Sequence, residues 1–324
     1  MAAQLHPAPV RHREIVDLRR LSARELDFLL KEECRAWRDE LEWDFEKSAD
    51  LVRRFVDMNA LNGSALVEDG QVTGYMYYVL EEDKGLIGDL YVCRKQRTVE
   101  RENLLISAAL DAVMNAPGVA RIEAQLLMLS HDPARTVPRT DCLNVFDRNF
   151  MRIDLKRVVL GRGDVRRPMY VEKWSDHYHD AAARLIAAAY AGHIDSRIND
   201  QYRTSAGARR FLHNIVQYPG CGAFFRPASL VAFEGVSGRL CGLSLASLVT
   251  PETGHLTQIC VSPSVRGTGM GHELLRQSLT TLQEMGCTSA SLTVTSANED
   301  AVALYERVGF ETIRRFPAFV WEGF

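Results

Sequence analysis

The sequence is poor in the features that mark specialised classes of protein. No apolar run in its 324 residues approaches the roughly 20 residues of a membrane span. The opening MAAQLHPAPVRHREIV lacks the apolar core of a secretory leader. There are only seven cysteines, scattered and odd in number, with no CxxC pair and no Cys/His spacing of a zinc site. Neither a disulfide framework nor a bound metal is therefore expected, and the thiols read as reduced groups of a cytoplasmic protein. Positive charge is not in excess: 39 Lys and Arg stand against 42 Asp and Glu, so there is no global field to hold nucleic acid. What remains is an ordinary globular composition, long enough for two cores.

The coarse pattern occurs twice. In the first half EIVDLRRL reads as a strand and SARELDFLLKEECRAWRDEL as a helix, with Ser22 as N-cap and Glu25 closing a capping box. SALVEDGQVTGYMYYVL reads as two strands turning at Asp69-Gly70, GLIGDLYV as a strand, ENLLISAALDAVMNA as a helix and ARIEAQLLML as a strand. The second half repeats the order with MYVEKW, HDAAARLIAAAYAG, AGARRFLHNIVQY, SLVAFEGVSGRLCGLSLASLV, GHLTQICV, GHELLRQSLTTLQEM, SASLTVT and NEDAVALYERVGF. An offset of 169 lays Gly85 on Gly254, Val92 on Val261, Arg97 on Arg266 and Leu105 on Leu274. A second block sets LNVFDRN on VALYERV and Phe146 at the place of Tyr305. Matching order points to duplication. The polar segment LGRGDVRRP supplies the boundary, giving domains over residues 1–160 and 168–324.

In ICVSPSVRGTGMGHELL a strand runs through Gly267, Gly269 and Gly271 into a helix. A helix start presents unpaired N–H groups and the positive end of its dipole, and glycine lets a ligand's anionic group approach the backbone. The corner reads as a phosphate or pyrophosphate cradle, with a bare tight turn as the alternative. It is not the Walker form, because no Gly-Lys-Ser/Thr follows.

A second block narrows the choice. Asn298, Ala301, Tyr305, Gly309 and Phe310 follow a strand at fixed spacing. With Arg266, Gly269 and Gly271 they resemble the motifs of the GNAT superfamily of N-acetyltransferases, over about residues 250 to 310. The resemblance implies an α/β (α+β) chain of two GNAT-like domains, each a mixed, largely antiparallel sheet flanked by helices. It implies acetyl-coenzyme A as acyl donor, no metal, and an amine acceptor that the sequence does not identify. The backbone of Ile259, Cys260 and Val261 would pair with the pantetheine arm. Amides of Arg266, Gly267, Thr268, Gly269, Met270 and Gly271 would hold the pyrophosphate. Asn298 and Ala301 would lie beside the cofactor, and Tyr305 would donate to the departing thiolate.

The family often places a carboxylate on the strand before the corner, but GHLTQICV has none. His255 is a candidate base with a suitable intrinsic pKa, or a surface residue at the strand's start. Gln258 can orient water or substrate. His193, Asp195 and Tyr202, in the loop region that forms acceptor walls in the family, are candidates for substrate contact. In the first half Thr98, Glu100 and Glu102 stand where Gly267, Gly269 and Gly271 do, so that copy is expected to be non-catalytic. A tandem with one worn copy also resembles mycothiol synthases. Two other readings stay open: a non-catalytic acyl-coenzyme A-binding or interaction protein, and a transferase of a different acyl group.

Overall fold

A computed structural model describes residues 12–129, 132, 134–218 and 220–324; the first eleven residues, part of the stretch read as lacking a leader's core, lie outside them. The chain forms two compact units. Unit 1 holds the residues through Arg35, Ala49–Leu143 and Trp321–Phe324, and unit 2 holds Ala36–Ser48 and Asn144–Val320. The boundary read at residues 160–168 is thus replaced by an interleaved one. Two segments of the first half, 36–48 and 144–160, fold with the second.

In unit 1 the order is β1 (Arg13–Asp17), α1 (Ala23–Leu41, leaving this unit after Arg35), α2 (Glu46–Asp57, joining it at Ala49), β2 (Gly63–Glu68), β3 (Gln71–Glu81), β4 (Lys84–Val92), α3 (Val99–Met114) and β5 (Arg121–Gln125). The sheet runs β1-β2-β3-β4-β5, antiparallel except for the β4–β5 pair. Glu25 accepts from the amide and the hydroxyl of Ser22, both at 2.8 Å, to start α1. Asp69 and Gly70 both take positive φ, 51° and 80°, as a two-residue hairpin turn requires.

Unit 2 adds β6 (Leu143–Asp154), β7 (Met169–Lys173), α4 (His179–Ala189), α5 (Asp195–Ile198), α6 (Ser205–Gln217), β8 (Ala223–Phe224), β9 (Leu230–Glu234), β10 (Leu240–Thr250), β11 (Thr253–Val261), α7 (Met270–Glu284), β12 (Ser289–Thr295), α8 (Glu299–Val308) and β13 (Glu311–Glu322). Its sheet runs β13-β6-β12-β11-β10-β9-β7, with β8 on β10. The β6–β12, β11–β10, β10–β9, β10–β8 and β9–β7 ladders are antiparallel, and β11–β12 is parallel.

The 169-residue spacing recurs in packing as well as in order. A Cβ on Gly85 would stand 2.3 Å from Val113, and one on Gly254 2.6 Å from Leu282. Both members of the second contact lie 169 residues beyond those of the first. In each unit the glycine lets the helix after the strand lie close on the sheet. The bulges match too. The extra residue is Gly88 in β4 and Thr257 in β11, again 169 apart.

The second block of the repeat does not hold. LNVFDRN begins strand β6, which pairs antiparallel with β12 from Arg148↔Thr295 to Asp154↔Ser289. It is no counterpart of helix α8, and Phe146 packs with Ile198, Ala318 and Val320 rather than in a Tyr305-like place. Met151, Ile153 and Leu155 belong to the unit 2 core with Leu279, Leu282 and Phe310. Among the described residues no helix is long and apolar enough to cross a membrane.

Candidate active site

Strand β11 is paired along one edge with β10 as far as Val261. On its other edge the β12 ladder covers only Thr253 to Leu256. The bulge at Thr257 turns the strand just past that point, so β11 and β12 part. The edge of β11 from Thr257 to Val261 has no strand partner among the described residues. It is a place where an extended ligand can add as a strand would.

Beyond it lies the corner. Gly269, at φ +86°, is the N-cap of α7 and has no side chain with which to cap. The first N–H of α7 with a backbone acceptor in the helix is that of Glu273, on Gly269 O at 3.0 Å. The N–H groups of Gly267, Thr268 and Gly269, and of Met270, Gly271 and His272, find no acceptor among the described residues. The equivalent helix in unit 1 is closed instead: Thr98 caps α3 through Arg101 N–H at 3.3 Å, and Glu102 in its first turn is buried against Arg135. Two helix starts at matching places in the two units therefore differ in whether the chain satisfies its own donors. The open one leaves its donors unmet, an arrangement that suits an anion.

The glycines of the cradle do different jobs. A Cβ at Gly267 would meet nothing within 4 Å, and one at Gly271 only Val261 at 3.9 Å. A Cβ at Gly269 would stand 2.2 Å from the carbonyl oxygen of Asp164. Gly267 and Gly271 leave space open, whereas Gly269 admits the chain's own 162–168 segment. The Arg266 guanidinium donates to Ala189 O at 2.5 Å, at the end of α4, so it struts the corner; its amide is on Pro263 O at 3.4 Å.

A polar cluster collects beside the parted edge. Gln258 donates to the Tyr190 hydroxyl at 2.8 Å and accepts from Tyr202 at 3.3 Å, and the two phenols stack with centroids 4.5 Å apart. Burial pushes the Cys260 thiol up to about 12, against a hydrogen bond with Gln258 that acts the other way, so it is no nucleophile near neutrality. Burial, with Asp195 and Cys260 nearby, holds the Tyr305 phenol well above its ordinary pKa, so it is fully protonated at neutral pH. Asp195 accepts from Thr295, lies 4.0 Å from Arg148 and 3.6 Å from the His193 ring. His193 Nδ1 accepts the Asp195 amide at 3.2 Å, which puts the ring proton of the neutral form on Nε2 and makes the carboxylate contact a weak one.

His255 lies elsewhere. It sits where β11 is still paired, opposite Ser291, with its Nδ1 2.9 Å from that hydroxyl. Trp43 and Phe150 close over it, and burial drives its pKa down to about 3. Such a ring is a poor acceptor for an ammonium proton. Asn298 caps α8, its Oδ1 accepting Ala301 N–H at 3.4 Å, and Ala301 packs on the core. Tyr305, Cys260, Gln258, Tyr202, Asp195 and His193 are brought together; His255 is not. Tyr190 and Arg148 escaped the sequence reading. Tyr190 is the one aromatic of its helix run and is open to notice. Arg148 is not, because its strand precedes the second half in the chain and joins it only through pairing with β12.

Residues 196–310 match the acetyltransferase (GNAT) family. The C-terminal region is a GNAT acetyltransferase domain. It is similar to the mycothiol acetyltransferase of Propionibacterium freudenreichii subsp. shermanii, 30% identical over 93 residues, which is 28% of this chain and 30% of that protein. It is also similar to the [ribosomal protein bS18]-alanine N-acetyltransferase of Escherichia coli (strain K12), 33% identical over 81 residues, 24% of this chain and 54% of that one. The chain thus spans under a third of the first relative's length and about half of the second's. Two solved structures follow almost the whole chain. A GCN5-related N-acetyltransferase from Sphaerobacter thermophilus has TM-score 0.66 at 18% identity, over 97% of this chain and 96% of that one. A tandem GNAT protein from the clavulanic acid biosynthesis pathway has TM-score 0.59 at 16% identity, over 96% and 98%. At these identities the likeness is one of fold, and the fold is a tandem GNAT.

Proposed function

We propose that the GNAT domain in unit 2 is an N-acetyltransferase that moves the acetyl group of acetyl-coenzyme A directly to an amine. The observation that carries the reading is the glycine-capped start of α7, with its donors unmet, next to a β11 edge left free by β12. The residues fit the donor: the amides from Gly267 to His272 suit a pyrophosphate, and the Thr257–Val261 edge suits a pantetheine amide chain.

The thioester would supply an activated acetyl group. The chain's own residues have three tasks. A backbone N–H near Cys260 and Val261 would stabilise the oxygen as it gains charge. Tyr305, kept protonated, would donate to the leaving sulfur. The amine must be neutral to attack, and an alkyl ammonium of pKa about 10 is neutral in roughly one part in a thousand at pH 7, a deficit of about 4 kcal/mol. The strand has no carboxylate for this, and His255 is too weak a base. Asp195 would supply the missing carboxylate from α5, near Tyr305 and Tyr190. It would hold the ammonium and pass its proton outward. Tyr202, His193 and Gln258 would line the acceptor's path. Unit 1, with its helix start capped, would bind no second donor, and the reduced thiols go with a cytoplasmic setting.

A non-catalytic acyl-coenzyme A-binding protein is the competing reading. Calorimetry with acetyl-coenzyme A, followed by thiol release over a panel of primary amines, separates the two. One site per chain and amine-dependent release are expected. Binding without release for any amine would favour the competing reading, and two equivalent sites would reject the assignment of unit 1.

A further inference from the structure

The segment 162–168, read from sequence as a linker, is laid on the glycine corner within unit 2. The Arg166 amide donates to Thr268 O at 2.9 Å. Gly269 has no Cβ because Asp164 O would be 2.2 Å away, and Gly163 has none because His272 Nδ1 would be 2.4 Å away. Two glycines therefore bring the segment against the first turn of α7. The result is a cavity of about 700 Å³ whose lining includes Arg162, Arg166, Arg167 and Arg276, with Met169 and Val171 as an apolar wall.

The charges of this cavity are unequally met. Arg276 is held by Glu273 at 2.6 and 2.8 Å. Arg167 is 3.6 Å from Glu234, and exposed Arg166 is 3.6 Å from exposed Asp164, both too long and too wet to neutralise fully. Arg162 has no carboxylate partner among the described residues. The cavity thus keeps a positive balance and sits beside the corner whose amides are unmet, with the Arg166–Thr268 bond as their shared wall.

We propose that this cavity takes a phosphate monoester, and that the group is the 3′-phosphate of the same coenzyme whose pyrophosphate lies on the α7 corner. The inference rests on the donor assigned under Proposed function. A monoester carries close to two negative charges at neutral pH. Guanidinium forks match its oxygens better than an ammonium does. Two anionic groups on one ligand explain why the chain brings an arginine-bearing segment onto a corner that already attracts an anion. Arg162 and Arg166 are the residues with charge to spare.

The test is titration of the full chain with coenzyme A and with 3′-dephospho-coenzyme A. The wild type should bind coenzyme A about tenfold or more tightly than the dephospho form, the scale of two charge-assisted contacts. The Arg162→Ala/Arg166→Ala variant should bind both forms alike, at the wild-type affinity for the dephospho form. Equal binding by the wild type, or discrimination that survives in the variant, would overturn the proposal while leaving the donor assignment intact. Failure of the wild type to bind either form would remove the donor assignment and this inference together. Both arginines are exposed, and a thermal melt verifies that the variant is folded.

Discussion

The indole of Trp43 stands edge-on to the imidazole of His255, ring centroids 4.9 Å apart. Trp43 belongs to the 36–48 segment, so a residue from the first half of the chain seals a strand of the second within one unit. The same segment fastens itself with Arg152 on Glu42 at 2.6 Å, Ser289 on Glu42 at 2.9 Å and the Asp44 amide on Val249 O at 3.0 Å.

That seal makes stability depend on acid. His255 is held near 3 by burial, whereas an unfolded imidazole takes its proton below about 6.5. Between those values the unfolded state binds more protons, so stability is whole above about 6.5 and falls as pH drops, by up to about 1.4 kcal/mol per unit. Urea midpoints of the wild type and His255→Gln at pH 7 and pH 4 should show the wild type losing up to about 3 kcal/mol more than the variant. Parallel losses would mean that the ring is not dry.

The two closing glycines of the corner separate binding from folding. Gly271→Glu adds a carboxylate where space is open, beside the unmet amides, and should abolish coenzyme A binding with little change in melting temperature. Gly269→Ala meets the Asp164 carbonyl and a φ of +86°, and should cost about 1–3 kcal/mol of stability. The reverse pattern in paired melts and titrations would place the ligand on the Gly269 side.

Tyr305→Phe should reduce kcat by about 10²–10⁴-fold and leave the affinity for coenzyme A near wild type. Because the phenol is held above its ordinary pKa, its loss as an acid should not limit the wild-type rate until pH passes 10. A basic limb near pH 8 that vanishes in the variant would contradict this.

Expression of residues 165–324 alone should give no cooperatively folded product. The fragment lacks β6, which stands between β12 and β13, and lacks Trp43. Met151, Ile153 and Leu155 are each almost fully buried in the unit 2 core, and losing one such side chain costs about 2–5 kcal/mol. A sharp thermal transition from the fragment, with native-like near-UV circular dichroism, would show that unit 2 tolerates their loss. The role of unit 1 is better probed by point changes in the full chain. Its buried Asp89, in β4, is a suitable one: Asp89 lies 169 residues before Gln258 and is bonded to Glu33 of α1, with its pKa raised by burial.

Residue order alone determined whatever depends on local spacing. The capping box at Ser22 and Glu25, the turn at Asp69-Gly70, the glycine corner and the Asn298-to-Phe310 block are each set by neighbours a few positions apart, and each could be read directly. The 169-residue repeat was legible for the same reason, since Gly85 and Gly254 answer to similar helices at matched distances along the chain. The tertiary structure alone decided which half owns a segment. LNVFDRN carries apolar residues that suit a helix or a strand, and only the edge of β12 makes it a strand. Nothing local to Trp43 says that it covers His255, and nothing in GHLTQICV tells a solvated histidine from a dry one. That difference comes from distant parts of the chain, Trp43 at 212 positions and Phe150 at 105. Asp195 could be picked out in the sequence as a polar loop residue, but only the fold brings it, on α5, near Tyr305.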